Sequence, residues 1–307
     1  TDDYKLFPFL FLSFSTKNDI RNFIWKTKRR VIVPGGIGQI QLKVHEQDAN
    51  PILQLTSIKD IPTCGWILFK GKEITGDKKE TYCDEEYHVK WKNMIKQEKD
   101  EVPTPLVMGM DAEVNSSNPN VFPNADRPDD KMFQIACVFS RGKEEVEKYI
   151  LTLGNPDQKT TGKDIIIRTF KTEGDLLVGY RDLIIEKNPQ IVTGYNILGF
   201  DIPYMIQRAK NTFVIFNFDQ QGCLKGGHAK EKLIKWTSAA YKDQNFEFLD
   251  AEGRLFVDLL PIIKRDYKFE KYNLKTVSTF FLGETKDPLD AKGIFKCYRL
   301  GMEGGEK

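Results

Sequence analysis

Leu106-Val107-Met108-Gly109-Met110-Asp111-Ala112-Glu113-Val114 is an apolar stretch that carries two acids in its second half. Its short apolar approach fits a buried strand. Residues i and i+2 of a strand share a face, so Asp111 and Glu113 present two carboxylates side by side. A bare Asp-x-Glu also fits an exposed, solvated strand face. Inside an apolar strand the balance shifts, because buried charge is costly and tends to mark a metal or catalytic site.

A second segment completes the pattern. Tyr195-Asn196-Ile197-Leu198-Gly199-Phe200-Asp201 leaves another apolar run, Gln190-Ile191-Val192-Thr193-Gly194, and places Asp201 ahead of a helical spacing. Asn196 offers an amide to a phosphate or sugar, and Phe200 a flat ring for packing or stacking. The plainer reading is a strand-to-helix turn with Asp201 as its N-cap. Three acids without histidine or cysteine suit hard, oxygen-loving cations such as Mg²⁺. That chemistry points to two-metal hydrolysis of a phosphodiester. Such a site usually has a fourth acid. Asp258 is a candidate stand-in, set against its reading as a helix N-cap or structural turn.

The 307 residues are enough for about two domains. With 40% hydrophobic and 29% charged residues, the composition is that of a globular protein. No apolar run reaches the roughly 18 residues of a membrane span. Leu6 to Phe14 is short, contains Pro8 and lacks a small-residue cleavage site, so it reads as a strand rather than a signal peptide. Five scattered cysteines without a Cys-x-x-Cys pair argue against a disulfide framework or a zinc site and fit a reducing intracellular compartment. The three histidines have no ligand spacing. A net charge of +2 does not announce a nucleic-acid binder, so any positive groove must come from spatial sorting.

The chain divides at Lys96–Pro105, a charged and then proline-bearing stretch. Before it, the pattern predicts strands at Phe7–Phe14, Gln39–Val44, Ile67–Phe69 and Thr81–Trp91, with helices at Lys17–Trp25 and from Pro51. That alternation suggests a small α+β domain, ferredoxin-like with a β module, over residues 1–102. After it comes a larger α/β domain over 103–307. Strands are expected at Asp111–Val114, Phe133–Phe139, Tyr149–Leu153, Ile165–Phe170 and Ile191–Thr193. Helices are expected at Glu173–Glu186, capped by Thr172, and at Ile202–Lys210, Leu259–Asp266 and Leu274–Phe281. Phe246–Leu249 and Arg254–Val257 flank Asp250-Ala251-Glu252-Gly253 and read as a hairpin. Gly301–Lys307 reads as a loop.

Asp111-Ala112-Glu113, Gln134-Ile135-Ala136, Thr172–Leu177 and Asn188–Asn196 through Phe200-Asp201-Ile202-Pro203-Tyr204 strongly resemble the 3′→5′ exonuclease domain of family B DNA polymerases. Eukaryotic delta-type enzymes and their large-DNA-virus relatives are most similar. Asp258-Leu259-Leu260, Arg265–Lys268 and Tyr272-Asn273-Leu274 resemble the same family, and Pro51-Ile52-Leu53 with Ile61–Ile67 resembles its amino-terminal domain. The resemblance implies a ribonuclease H-like mixed sheet behind the amino-terminal domain. It implies that Asp111, Glu113 and Asp201 bind two Mg²⁺ or Mn²⁺ ions, one generating hydroxide and the other stabilising the leaving 3′ oxygen. Tyr195, Asn196 and Phe200 would serve the DNA strand. Implied partners are the single-stranded primer 3′ end, primer-template DNA, the palm, fingers and thumb, and a sliding clamp, with no membrane. The implied location is the nucleus or a viral replication site.

The family's third motif, a tyrosine followed four residues later by aspartate, is not found after any tyrosine here, nor is a palm signature. The expectation is an exonuclease domain cut just before that motif, weak or inactive as an isolated chain. The alternative is a non-catalytic DNA-binding or assembly module of a split polymerase. A free-standing exonuclease of the oligoribonuclease kind is a third reading, opposed by the long amino-terminal region.

Overall fold

The computed structural model describes all residues except 1–8, 34, 36–37, 46, 157–161, 239–241, 285–288 and 303–307. They fall into two compact units. One is drawn from Thr1–Lys72 and His88–Asp100, the other from Glu73–Tyr87 and Glu101–Lys307.

The first unit contains α1 (Lys17–Thr27), β1 (Val31–Val33), β2 (Gly38–Ile40), α2 (Pro51–Lys59), β3 (Ile67–Glu73) and β4 (Tyr87–Lys96). Both helices begin as their caps dictate. Thr16 accepts from the Asp19 amide and Asn50 from the Ile52 amide, and Pro51 takes the first turn, where no amide donor is needed. The strands form two separate pairs, β1 with β2 and β3 with β4. Residues 9–14 are not a strand, and Phe9, Leu10 and Phe11 are exposed. The expected run at 39–44 ends at Ile40, and the one at 81–91 is displaced to Tyr87–Lys96. Gln39–Val44 alternates in polarity, but its pairing with β1 stops at Ile40, while Thr81 makes only an isolated antiparallel bridge to Leu224.

Residues 73–87 belong with the second unit by their contacts. The Tyr82 amide donates to the Cys223 carbonyl at 2.8 Å, and Asn188 donates to the Tyr82 carbonyl at 3.2 Å. Next come β5 (Leu106–Val114), β6 (Met132–Arg141), β7 (Glu144–Leu153), β8 (Ile165–Phe170), α3 (Glu173–Lys187), β9 (Ile191–Gly194), α4 (Asp201–Asn211) and α5 (Ile215–Phe218). Then follow β10 (Lys230–Ser238), β11 (Lys242–Asp250), β12 (Leu255–Asp258), α6 (Leu259–Asp266), α7 (Leu274–Leu282) and α8 (Ala291–Met302).

Six strands form one mixed sheet in the order β12-β9-β5-β6-β7-β8. β5, β6 and β7 are an antiparallel meander, while β9 runs parallel to β5, β12 to β9 and β8 to β7. This is the ribonuclease H-like mixed α/β sheet expected from the sequence. Leu106, Met108, Met110, Ala112 and Val114 of β5 point into the core, where they meet Leu176, Leu177, Tyr180, Leu183 and Ile184 of α3 and Ile202, Met205 and Ile206 of α4. α3 is capped at Thr172, whose hydroxyl accepts from the Asp175 amide at 3.1 Å.

The expected hairpin is rearranged. β11 pairs antiparallel with β10, and β12 instead joins the main sheet beside β9. The glycine turn reverses the chain, with Gly253 at φ +78°. Buried Arg254 then donates to the carbonyls of Gln221 and Pro189, fixing the start of β12 against the sheet edge. Of the loop expected over Gly301–Lys307, Gly301 and Met302 instead belong to α8, and residues 303–307 lie outside the described residues.

Candidate active site

The pleat of β5 sorts its residues by face. Its even-numbered side chains are buried, whereas Asp111 is exposed and Glu113 half-buried. These acids share a face, as their spacing requires, but it is the open face of an otherwise buried strand. Of the three acids only Asp201 is buried, at 4% exposure.

Asp201 reaches the site because β9 runs beside β5 and hands the chain to α4. Gly194 allows this approach: a Cβ there would lie 2.6 Å from the Met110 carbonyl oxygen and 2.4 Å from Ile197 Cγ2. Asp201 opens α4 and accepts a 3.1 Å hydrogen bond from the Ala112 amide, on the residue between Asp111 and Glu113. Burial raises the Asp201 carboxyl, the charge of Asp111 adds to the rise, and the Ala112 amide opposes it; the result is about 7. The positive end of α4 favours the carboxylate but does not outweigh burial and repulsion.

Between β9 and α4 the chain makes a tight loop. Asn196 sits at φ +65°, a left-handed conformation that asparagine tolerates better than most residues. Its carbonyl accepts from the amides of Gly199 and Phe200 at 3.1 and 3.0 Å. Its side chain crowds Gly199, where a Cβ would meet Asn196 Oδ1 at 2.5 Å. Asp258, at the end of β12, secures this loop from outside. Its Oδ1 accepts from the Asn196 amide at 2.8 Å and the Leu260 amide at 2.9 Å, and its Oδ2 from the Leu198 amide at 3.0 Å. Asp258 is thus both the N-cap of α6 and the clamp of the Asn196 loop.

The aromatic residues divide between support and surface. The Tyr195 hydroxyl donates to the Tyr272 carbonyl at 2.7 Å, bracing the loop against the segment before α7. Phe200 is half-buried and packs against Tyr204, with ring centroids 5.6 Å apart. Phe122, to which the sequence had drawn no notice, lies edge-on to Phe200 at 5.3 Å and is 73% exposed. The loop that carries it is held by buried ions. Arg208 of α4 pairs with Glu173 of α3, and it donates to the carbonyls of Ala125 at 2.9 Å and Arg127 at 2.8 Å. Glu173 also accepts from the Met132 amide at 2.8 Å, and the Tyr204 hydroxyl donates to the Asp130 carbonyl at 2.7 Å. Nothing in the local spacing of Glu173 and Arg208 signals this pair.

Among the described residues, no three of His, Cys, Asp or Glu stand close enough together to hold a metal ion. Asp111 and Asp201 are electrostatic neighbours, as the raised Asp201 carboxyl records. The donor chemistry fits a hard divalent cation, since all three side chains offer carboxylate oxygens and a cation would relieve the repulsion between two of them. No helix among the described residues is long and apolar enough to cross a membrane.

An acid-bearing central strand in a mixed sheet is joined here by a third acid at the head of a helix. Residues 42–277 match the family described as DNA polymerase family B, exonuclease domain, and the chain belongs to that family. The exonuclease domains of this family are metal-dependent.

Similar proteins include DNA polymerase 120R of Invertebrate iridescent virus 3, 46% identical over 97% of this chain and 27% of that protein. DNA polymerase 037L of Invertebrate iridescent virus 6 is 41% identical over 97% of this chain and 25% of its own length. The DNA polymerase delta catalytic subunit of Glycine max is 38% identical over 39% of this chain and 11% of its own length. The chain thus spans about a quarter of the two viral relatives.

Proposed function

We propose that the chain is the amino-terminal and proofreading region of a replicative DNA polymerase, and that its site hydrolyses the 3′-terminal phosphodiester of primer DNA. The observation that carries this reading is the Ala112–Asp201 hydrogen bond, which sets a buried third acid against the strand holding Asp111 and Glu113. Asp111, Glu113 and Asp201 would hold two Mg²⁺ or Mn²⁺ ions. Bound there, the ions would supply an activated water and stabilise the departing 3′ oxygen. Asn196 offers its amide to the strand, and Phe200 supports the exposed ring of Phe122, on which a frayed base can stack. Tyr195 serves the strand indirectly, by bracing the loop that carries Asn196.

The same reading places a domain boundary near residue 102, with 73–87 packing as part of the exonuclease unit. Its partners are single-stranded primer ends and primer-template DNA, the palm, fingers and thumb, and a sliding clamp. Its place of work is the nucleus or a viral replication site. Excision by this chain alone is weak, because three acids are one fewer than the resemblance implies.

The test combines Mn²⁺ binding, followed by electron paramagnetic resonance, with excision of a 5′-labelled mismatched primer. Mn²⁺ binding lost in Asp111→Ala and slow shortening from the 3′ end support the reading. Binding and shortening that persist undiminished in Asp111→Ala and Asp201→Ala overturn it.

A further inference from the structure

Two short stretches far apart in the chain, around Thr81 and Leu224, run side by side in the second unit. Thr81 and Leu224 form an antiparallel bridge. The Tyr82 amide donates to the Cys223 carbonyl, and the Lys225 amide to the Glu80 carbonyl, each at 2.8 Å. The cysteines of these stretches, Cys83 and Cys223, are both half-buried and stand thiol to thiol. Asn188 holds the pair from a third side. Its Nδ2 donates to the Tyr82 carbonyl at 3.2 Å, and its Oδ1 lies 3.6 Å from Cys223 Sγ. Gly253 makes room for that sulfur, since a Cβ there would lie 2.7 Å from it.

A buried cation accompanies the two sulfurs. Arg254, which donates to the carbonyls of Gln221 and Pro189, is a charged neighbour of both. Its Nη2 is buried and, among the described residues, has no hydrogen-bond partner. A buried guanidinium nitrogen without an acceptor costs free energy unless an anion forms beside it. A thiolate of this pair is such an anion. Burial pushes the Cys223 thiol up, and the charge of Arg254 opposes that rise. Packing explains two adjacent small side chains. It does not explain a guanidinium donor left unfilled next to them.

We propose that Cys83 and Cys223 are a redox modification site, closed to a reversible disulfide by low-molecular-weight disulfides. The Cys83 thiolate attacks one sulfur of the small disulfide, expels the other as a small thiolate and carries a mixed disulfide. Cys223 then gives up its proton and attacks the Cys83 sulfur, and the second small thiolate leaves. The small disulfide is reduced to two thiols, which take up the two protons that the protein thiols release. Arg254 stabilises the thiolate form and so keeps the bond easy to reduce. Closed, the bond fastens the segment around Thr81 to the turn from which β12 starts. A soft metal ion is the poorer match. Among the described residues no third Cys, His, Asp or Glu stands close enough to complete a metal site, and the guanidinium repels a cation. The site uses none of Asp111, Glu113 and Asp201, so it does not rest on the proofreading reading.

The experiment uses the full chain with the exposed cysteines removed by Cys64→Ser and Cys297→Ser, so that neither exchanges with the pair. The folded protein is incubated with oxidised glutathione, its remaining thiols are blocked, and it is digested without reductant. Peptides joined through Cys83 and Cys223, and separated again by dithiothreitol, should be the main product. Oxidation should also raise the urea midpoint, because a cross-link between distant residues restricts the unfolded chain. Adding Cys83→Ser should abolish both the joined peptides and that rise. Should Cys83→Ser fail to fold, the peptide map of the protein that keeps both cysteines decides alone. A protein that stays folded by circular dichroism and yields no joined peptides overturns the proposal. So does glutathione retained on Cys83 with Cys223 unmodified. Stoichiometric Zn²⁺ uptake that shields both thiols from oxidised glutathione would also overturn it, in favour of a metal site.

Discussion

Asp258 and Asn196, 62 residues apart in the chain, are joined by a 2.8 Å hydrogen bond from the Asn196 amide to the Asp258 carboxylate. The bond holds a residue with positive φ in the loop that leads to Asp201, and the same carboxylate serves Leu198 and Leu260. Asp258→Asn keeps one acceptor oxygen and loses the other. Amide exchange at Asn196 or Leu198 should accelerate by about tenfold or more, as expected when a charge-assisted hydrogen bond worth about 1.5–3 kcal/mol is lost. Exchange unchanged at both amides would show that the loop holds its shape without the clamp.

Asp201 gives the fold a pH dependence of definite sign. Its folded-state value of about 7 lies above the ordinary aspartate value of 3.8, so the native state retains a proton that the unfolded chain releases. Without divalent cations, this residue therefore costs stability increasingly as pH rises from about 4 to 7, and the cost levels off above that. Asp201→Asn removes the charge and keeps an oxygen for the Ala112 amide. In urea denaturation its advantage over the parent should grow across that window, to an order of a few kcal/mol at pH 8. An advantage equal at pH 5 and pH 8 contradicts the assignment.

Phe122→Ala tests the surface ring. Because Phe122 is 73% exposed, its loss should leave stability within about 0.5 kcal/mol of the parent. Affinity for a 3′-ended single strand, measured by anisotropy, should fall about 5–100-fold if the ring stacks a base. A fall in stability with affinity intact would make the ring a packing element instead.

Arg208→Ala strands the Glu173 carboxylate in the interior and deprives the loop carbonyls of Ala125 and Arg127 of their donor. A broken buried pair of this kind costs about 3–5 kcal/mol, to be read from the urea midpoint at constant slope. A cost under about 1 kcal/mol would mean that water replaces the guanidinium at little expense.

Local signals were legible where local physics decides. Thr16, Asn50 and Thr172 cap their helices as side chains of their kind do, and the alternation of β5 identifies its two faces. The spacing of Asp111 and Glu113 gives their common face, but not that it is the open one; that depends on which neighbours cover the sheet. Pairing at long range was illegible. Leu255–Asp258 has the pattern of a hairpin arm, and only the edge of β9 decides that it becomes a sheet strand. The Glu173–Arg208 pair and the Asp258 clamp join residues 35 and 62 positions apart, distances at which no periodicity operates. The Tyr195 hydroxyl belongs to the same class, because its partner is a main-chain carbonyl that any residue at position 272 would supply.

The hydrogen bond that holds Asp201 comes from the main-chain amide of Ala112. No side-chain replacement at position 112 can delete that donor except proline, which has no amide hydrogen. The tie between the third acid and the strand of the first two is thus shielded from nearly every point mutation at position 112. Sequence drift can erase an acid in one step, but the placement of the acids is stored in the backbone and should outlast the chemistry it was built to serve.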